Sequence, residues 1–274
     1  MSDFDRDFVA APFGQTIGRA GTVAVDQGLR AYMLRIYNYM VLGLVITGLA
    51  AFGIYVLSVT GDAASAARVV RNGIEGYARI PGGLYLTPIG QLIFVSPLKW
   101  AVMLAPLVMV FVLSFGIARL RPAAAQVLFW IFAALVGISL GSIFMVFAHT
   151  SIVRVFFITA ASFGALSLWG YTTQRDLTAM GSFLIMGLFG VVLASLVNLF
   201  MASSALQFVI SAVGVLVFAG LTAWDTQRLK NEYIYAAMDG ETAERSSILG
   251  ALSLYLNFIN LFTLLLQLLG QREE

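Results

Sequence analysis

The stretch IYNYMVLGLVITGLAAFGIYVLSV, residues 36–59, decides the fold class, because it contains no charged side chain. It exceeds the roughly 20 apolar residues that a helix needs to cross a bilayer. Further apolar stretches of similar length follow it, separated by polar segments. We predict membrane-spanning helices at about 36–59, 98–118, 124–148, 152–170, 180–200, 205–229 and 248–269. The chain is therefore predicted to be an all-α polytopic membrane protein with seven transmembrane helices.

Overall composition indicates the same class. The 274 residues are 60% hydrophobic and 11% charged, whereas soluble domains carry roughly 25% charged residues. Cysteine is absent, which excludes disulfides and thiolate metal sites. The formal net charge of +2 comes from basic residues scattered at loop ends, so nucleic acid is not an expected partner. Most of the surface is instead expected to face the lipid bilayer.

The chain is predicted to consist of a tail and one membrane domain. Residues 1–31 are polar, and we expect them to form a mobile cytoplasmic tail. Residues 32–274 then make a single transmembrane domain, with a long loop at about 60–97 between the first two spans. Lysine and arginine are more frequent on the side of the N-terminus. The positive-inside rule therefore predicts a cytoplasmic N-terminus and a C-terminus outside.

Polar side chains within the last two spans are the most informative residues. Such groups are costly in lipid, so they normally face the bundle interior and find partners. In the seventh span Ser253, Asn257, Asn260 and Gln267 fall on one face within a quarter turn. In the sixth span Asp225 is a carboxylate near the cytoplasmic end. Because a short connection makes the two helices neighbours, we expect Asp225 and Asn257 to lie within hydrogen-bonding reach.

Simpler roles for these residues stay open at this point. The polar seam of the seventh span could serve only as glue between helices, at below about 2 kcal/mol per bond. Asp225 could be solvated at the interface, or it could pair with Arg228 one turn later. Neither role requires a transport function.

Catalytic residues are scarce in this sequence. His149 is the only histidine, and it lies at a predicted span end without a clear carboxylate partner. A nucleophile, a base and an orienting group cannot be assembled around it. No cluster of residues has the spacing of a zinc site. We therefore expect neither an enzyme nor a bound cofactor.

A family resemblance extends over the chain from about residue 31. Its most specific parts lie in the last two spans. The segments that carry it are AYMLRIYNYM (31–40), YTTQRDLT (171–178), AWDTQ (223–227) and SLYLNFINLF (253–262). They resemble the Bax inhibitor-1-like (transmembrane Bax inhibitor motif) family in its bacterial form. The resemblance implies six helices packed around a central, C-terminal seventh, and a pH-sensitive calcium leak across the plasma (inner) membrane.

The resemblance also implies particular site residues. In bacterial relatives the gate is attributed to an aspartate on each of the last two helices and an arginine at the cytoplasmic end of the second. The first aspartate matches Asp225, and the arginine matches Arg119 or, alternatively, Arg121. Ser253 and Asn260 would add oxygen atoms along the same path. A hard cation prefers several carboxylates, so Asp225 would give a weak calcium contact rather than a tight metal site.

The position of the second aspartate is occupied by Asn257, which departs from the family pattern. Two close carboxyl groups share a proton because both cannot ionise together. An aspartate with an asparagine has no second proton to share, and the amide donates hydrogen bonds to the carboxylate. We therefore hypothesise that this pair is a weak pH sensor.

Two functions of different classes follow from these observations. The first is a passive cation leak, with calcium as the ion, gated on the cytoplasmic side by Asp225, Asn257 and Arg119. The second is a membrane-embedded interaction protein, because some bacterial members of the family are linked to a membrane-bound quality-control protease. The tail 1–31 would suit a partner of that kind. A solute transporter is a third possibility, although no inverted repeat is visible.

Overall fold

Helices make up most of the computed structural model, which describes residues 13–71, 74–116, 120–235 and 240–273. The helices in these ranges are α1 (Phe13–Ser58), α2 (Pro88–Phe94), α3 (Leu98–Gly116), α4 (Pro122–Leu140), α5 (Ile143–Val146), α6 (His149–Thr172), α7 (Thr178–Met201), α8 (Ser204–Tyr235) and α9 (Gly240–Leu269). The strands are β1 (Val59–Thr60), β2 (Arg68–Arg71), β3 (Ile74–Tyr77) and β4 (Tyr85–Leu86).

Seven helical segments within those ranges are long and apolar enough to cross a membrane. They are α1 from Gln27 onward, α3, α4 together with α5, α6, α7, α8 and α9. This result confirms the predicted all-α polytopic membrane protein. The short α5 continues the span of α4 after a turn at Gly141 and Ser142.

Helix α9 is the central helix of the bundle. It packs against α1, α4, α6 and α8, while α3 packs on α4 and α7 packs on α8. Its buried Tyr255 lies edge-on to the rings of Phe129 and Phe132 and hydrogen-bonds Thr47 Oγ1 at 2.7 Å. The predicted central position of the seventh span is thus confirmed, with α3 and α7 as the outer helices.

Glycines allow the closest helix contacts. A Cβ atom at Gly137 on α4 would overlap the backbone carbonyl of Thr47 on α1. A Cβ atom at Gly170 on α6 would similarly overlap the backbone of Ala223 on α8. Both pairs of helices therefore approach each other backbone to backbone, which larger residues would prevent.

Part of the predicted tail is helical in the structure, while its mobility and its side of the membrane stay predictions. Helix α1 begins at Phe13, so residues 13–31 are helical and continuous with the first span, whereas residues 1–12 of the tail lie outside the described residues. Near the start of the span, the ring of Tyr32 stacks on Tyr233 of α8 with the centroids 5.0 Å apart. Hydropathy marks where the membrane ends, but a helix continues for as long as its backbone hydrogen bonds do.

The last two helices likewise extend beyond their predicted spans. Helix α8 continues from residue 229 to Tyr235, and α9 begins at Gly240 rather than at 248. The predicted loop 60–97 also contains local structure. Strand β1 pairs with β4, β2 pairs with β3, and the hydroxyl of Thr87 accepts the amide of Gly90 at 3.1 Å to cap α2.

The chain after α9 is fastened to the link between α5 and α6. The Ala148 amide donates to the Gln271 carbonyl at 2.9 Å, and the Glu273 amide donates to the Val146 carbonyl at 3.1 Å. His149 Nδ1 lies 3.5 Å from the carboxylate of Glu273. The chain at the C-terminal end of the central helix is thus held by backbone bonds.

Candidate functional site

The carboxylate of Asp225 is the centre of a buried polar cluster between α8 and α9. Asn257 Nδ2 donates to its Oδ2 at 2.7 Å, and Ser253 Oγ donates to the same oxygen at 2.9 Å. Arg228 Nη2 lies 2.7 Å from Oδ1. Both oxygens are therefore engaged, as a charge removed from water requires. We call these four residues the carboxylate cluster.

Helical spacing explains how the cluster forms. Arg228 follows Asp225 by three residues on α8, and Asn257 follows Ser253 by four on α9, so each pair shares one helix face. The guanidinium of Arg228 also lies 5.1 Å from the ring centroid of Trp224 and donates to Ser253 Oγ at 3.4 Å. The cluster thus joins the two helices with a buried anion and a half-exposed cation.

The predicted contact between Asp225 and Asn257 is present, and Ser253 joins it. Asn260 lies apart, because its amide donates to the carbonyl of Leu256 in its own helix at 2.8 Å. The arginine of the cluster is Arg228, which the sequence offered only as an alternative partner of Asp225. The sequence indicated this partner only through the spacing of three residues. That spacing does not show whether Asp225 pairs with Arg228 or is solvated at the interface.

The structure describes one of the two arginines matched through the family resemblance. Arg119 lies outside the described residues. Arg121 is the exposed residue that precedes α4, and no hydrogen bond or ion pair joins it to Asp225 in the described part of the chain. The role predicted for these arginines at the gate stays a prediction.

The residues after Asp225 hold α8 against other neighbours. Thr226 Oγ1 lies 2.9 Å from the hydroxyl of Ser167 on α6. Gln227 accepts the Leu177 amide at 2.9 Å and donates to the Arg175 carbonyl at 2.7 Å, so it fastens the loop between α6 and α7. Successive residues of the AWDTQ segment thus bind different elements, which sequence spacing alone did not predict.

A second polar cluster lies at the opposite end of α8 and α9. Asn198 Nδ2 donates to Gln207 Oε1 at 3.0 Å, and Gln207 Nε2 donates to Gln267 Oε1 at 2.5 Å. Ser211 Oγ donates to the same Gln267 oxygen at 2.9 Å. These four residues, which we call the amide cluster, carry no formal charge. Polar groups therefore occur at both ends of the central helix pair.

An apolar layer separates the two clusters. It consists of the buried side chains of Phe218 and Leu221 on α8 and Leu261 and Leu264 on α9. On α9 the distance from Asn257 to Gln267 is about 15 Å at 1.5 Å per residue. Apolar constrictions exclude water and ions from a pore. Buried apolar side chains therefore fill the space between the two clusters.

Another carboxylate at the same end of the bundle has a different setting. Asp176, in the loop before α7, is exposed and accepts the hydroxyl of Thr178 at 2.6 Å and its amide at 2.9 Å. These hydrogen bonds to Thr178 lower the pKa of Asp176 below its ordinary value. Asp176 offers a matched comparison for Asp225, because it is outside the helix pair.

The fold and the site define a polytopic membrane protein whose polar groups lie along its two innermost helices. Comparison with known proteins identifies its family. A sequence model of the family described as Inhibitor of apoptosis-promoting Bax1 matches residues 29–274. The chain belongs to this family, the Bax inhibitor-1-like proteins that its motifs resemble.

Bacterial proteins are similar over nearly the whole chain. A protein of Rickettsia prowazekii is 44% identical over 249 residues, which cover 91% of this chain and 93% of that protein. A protein of Caulobacter vibrioides is 40% identical over 274 residues and all of both chains. The inner membrane protein YbhL of Escherichia coli is 41% identical over 249 residues, covering 90% and 94%.

Proposed function

We propose that the protein is a passive leak for calcium, closed in this conformation, with the carboxylate cluster as its gate. The observation that carries the proposal is the buried carboxylate of Asp225 on the innermost helix pair, with Arg228 at 2.7 Å. A charge inside a membrane bundle usually marks an ion or proton path. Calcium prefers oxygen ligands, and Asp225, Asn257 and Ser253 bring carboxylate, amide and hydroxyl oxygens together.

Arg228 supplies the means of closure in this proposal. Its guanidinium occupies the position beside Oδ1 that an entering cation would need. Because it is half-exposed and lies at the mouth of the helix pair, it can turn toward water without repacking the core. Release of Arg228, followed by wetting of the apolar layer, would connect the carboxylate cluster with the amide cluster.

The proposed location is the inner membrane, with the carboxylate cluster on the cytoplasmic side. The name of the relative YbhL supports an inner membrane location, and the excess of basic residues supports a cytoplasmic N-terminus. Helix α8 ends, and α9 begins, on the side where α1 begins. Under this orientation the chain after α9 lies outside, and the proposed path needs no catalytic step or cofactor.

A flux assay with the purified protein in vesicles tests the leak. A calcium dye inside the vesicles reports calcium entry, which is measured separately for the native chain, for Asp225→Asn and for Asp176→Asn. We expect calcium entry with the native chain, a drop of about tenfold or more with Asp225→Asn, and native flux with Asp176→Asn. Absence of flux, or equal flux in all three folded proteins, would reject the proposal.

A second candidate function is an interaction with a membrane-bound quality-control protease. The ends of α1 and α8 support it: α1 begins at Phe13, ahead of the apolar span that starts at Gln27, and α8 continues to Tyr235, past the end at 229 predicted for its span. Deletion of residues 1–12 should then abolish co-purification with the protease while calcium flux is unchanged. Retained co-purification would argue against a role for this segment.

A further inference from the structure

A large groove runs between α1 and α6, away from the carboxylate cluster. Both helices pack on α9, and between them a cavity of about 1200 Å³ opens sideways toward the membrane. This volume exceeds the roughly 300–1,000 Å³ of ordinary small-molecule pockets. Met40, Phe163 and Phe258 form part of its buried apolar wall. The groove is thus a preformed apolar site within the thickness of the bilayer.

Two glycines keep the groove open. Gly48 on α1 and Gly164 on α6 line it, and a Cβ atom at either would meet no other atom within 4 Å. A smaller cavity of about 340 Å³ continues along α1 and shares Gly48 and Phe258 with the first. From Arg30 to Leu49 the lining of α1 covers about 28 Å, close to the roughly 30 Å of hydrocarbon in a bilayer.

The end of the groove at the carboxylate-cluster side is basic. Arg30 lines this end, is exposed, and makes no hydrogen bond or ion pair with any residue whose side chain the structure describes. Lys230 of α8 adds a second cation behind the other wall at this end, since its Nζ donates to the carbonyl of the groove residue Tyr171 at 2.8 Å. Below them the hydroxyl groups of Tyr37 and Ser167 hydrogen-bond across the gap.

We propose that this groove binds one anionic phospholipid, with the phosphate near Arg30 and Lys230 and an acyl chain between α1 and α6. The order of groups in the groove, cations first and then an apolar channel, matches the order of groups in a lipid. Lipid tails are already in an apolar solvent, so burying them gives little selectivity. Selection must therefore come from the charge of the headgroup, and it is independent of any calcium conduction.

Native mass spectrometry of the full chain tests the site. The delipidated protein is offered equal amounts of phosphatidylglycerol, which is anionic, and phosphatidylethanolamine, which has no net charge. We expect one tightly retained lipid and a preference for phosphatidylglycerol. Arg30→Gln should lower that preference about five-fold, as the loss of one cation near a headgroup predicts. Gly164→Phe, which fills the groove, should lower retention of both lipids.

Matched variants separate the groove from the general surface. Arg35→Gln removes an exposed cation on the same helix, about 140° around its axis from Arg30. Gly190→Phe adds the same ring at an open position on α7. Both should retain lipid like the native chain. Variants are compared only where their melting temperatures match that of the native chain.

Several outcomes would overturn the proposal. They are an equal affinity for both lipids, an equal effect of Arg35→Gln and Arg30→Gln, or full retention of lipid in Gly164→Phe. The native chain could instead form a dimer that carries no lipid and that Gly164→Phe dissociates. This result would assign the groove to a second copy of the chain.

Discussion

Asp225 and Arg228 form an ion pair of 2.7 Å within one helix, yet they differ in their access to water. The side chain of Asp225 is 7% exposed, and that of Arg228 is 45% exposed. The anion is therefore fixed inside the bundle, while its cation can leave without disturbing the packing. This asymmetry makes Arg228 the moving part of the proposed gate.

Replacing Arg228 tests that assignment. Arg228→Gln removes the cation beside Oδ1, so we expect calcium flux into vesicles to rise several-fold. The unpaired carboxylate should also lower the free energy of unfolding by about 1–3 kcal/mol, between the values for exposed and buried pairs. Arg175→Gln, an exposed arginine at the same end, is the control and should change neither quantity. A fall in flux with Arg228→Gln would contradict the assignment.

The amide at Asn257 predicts a distinctive pH response. Asn257→Asp places a second carboxyl group within hydrogen-bonding distance of Asp225. At low pH the two share a proton, and at higher pH their repulsion pushes α8 and α9 apart. Calcium flux of this variant should therefore rise with pH through a defined midpoint, whereas the native chain should respond weakly.

Asn260→Asp provides the matched comparison for the pH response. Asn260 lies one turn further along α9 and hydrogen-bonds within its own helix. It should not acquire the same midpoint. A midpoint of equal strength in both variants, or a strong one in the native chain, would show that contact with Asp225 is not what matters.

The apolar layer predicts a barrier that is independent of the carboxylate. Leu221→Ser places a hydroxyl among buried leucines, so the layer should wet more readily and calcium flux should increase. Leu216→Ser makes the same change on the same helix, at a position 71% exposed and facing outward. Flux through Leu216→Ser should stay native. If both variants conduct like the native chain, ions do not pass between α8 and α9.

Close backbone contacts predict opposite effects for two glycine substitutions. Gly170→Ala adds a Cβ atom that overlaps the Ala223 backbone, and such overpacking costs about 1–3 kcal/mol. Gly190→Ala adds the same atom in open space, where alanine favours a helix by up to about 1 kcal/mol. Thermal unfolding in detergent should show a lower midpoint for the first and an unchanged or higher midpoint for the second. Equal shifts would mean that α6 and α8 are less tightly packed.

Hydropathy was sufficient to predict the seven spans and the fold class, because lipid imposes one length and one polarity on every crossing helix. It did not predict that α1 starts at Phe13 or that α8 continues to Tyr235. Those segments are polar, and their helical hydrogen bonds leave no trace in hydropathy. The loop 60–97 was similarly predicted without its strands, which pair over very few residues.

Helical periodicity predicted the contact of Asp225 with Asn257, since both the face and the depth follow from counting residues. The role of Gln227 was not predictable, because its partners Leu177 and Arg175 belong to a loop whose position depends on tertiary packing. The groove beside Arg30 was not predictable from the sequence for the same reason. Its two walls are lined by residues 30–49 of α1 and 156–171 of α6, which lie more than 100 residues apart in the chain.

The central position of α9 also bears on biosynthesis. The ribosome produces α9 after the six other spans, and chains organise from the N-terminal side during synthesis. Until α9 enters the membrane, Asp225 lacks both Ser253 and Asn257. Arg228 is the one member of the cluster that emerges with Asp225 on the same helix, so α8 reaches the bilayer with its anion already neutralised. The ion pair of Asp225 and Arg228, which closes the mature bundle, would thus first neutralise the buried charge of a bundle that still lacks α9.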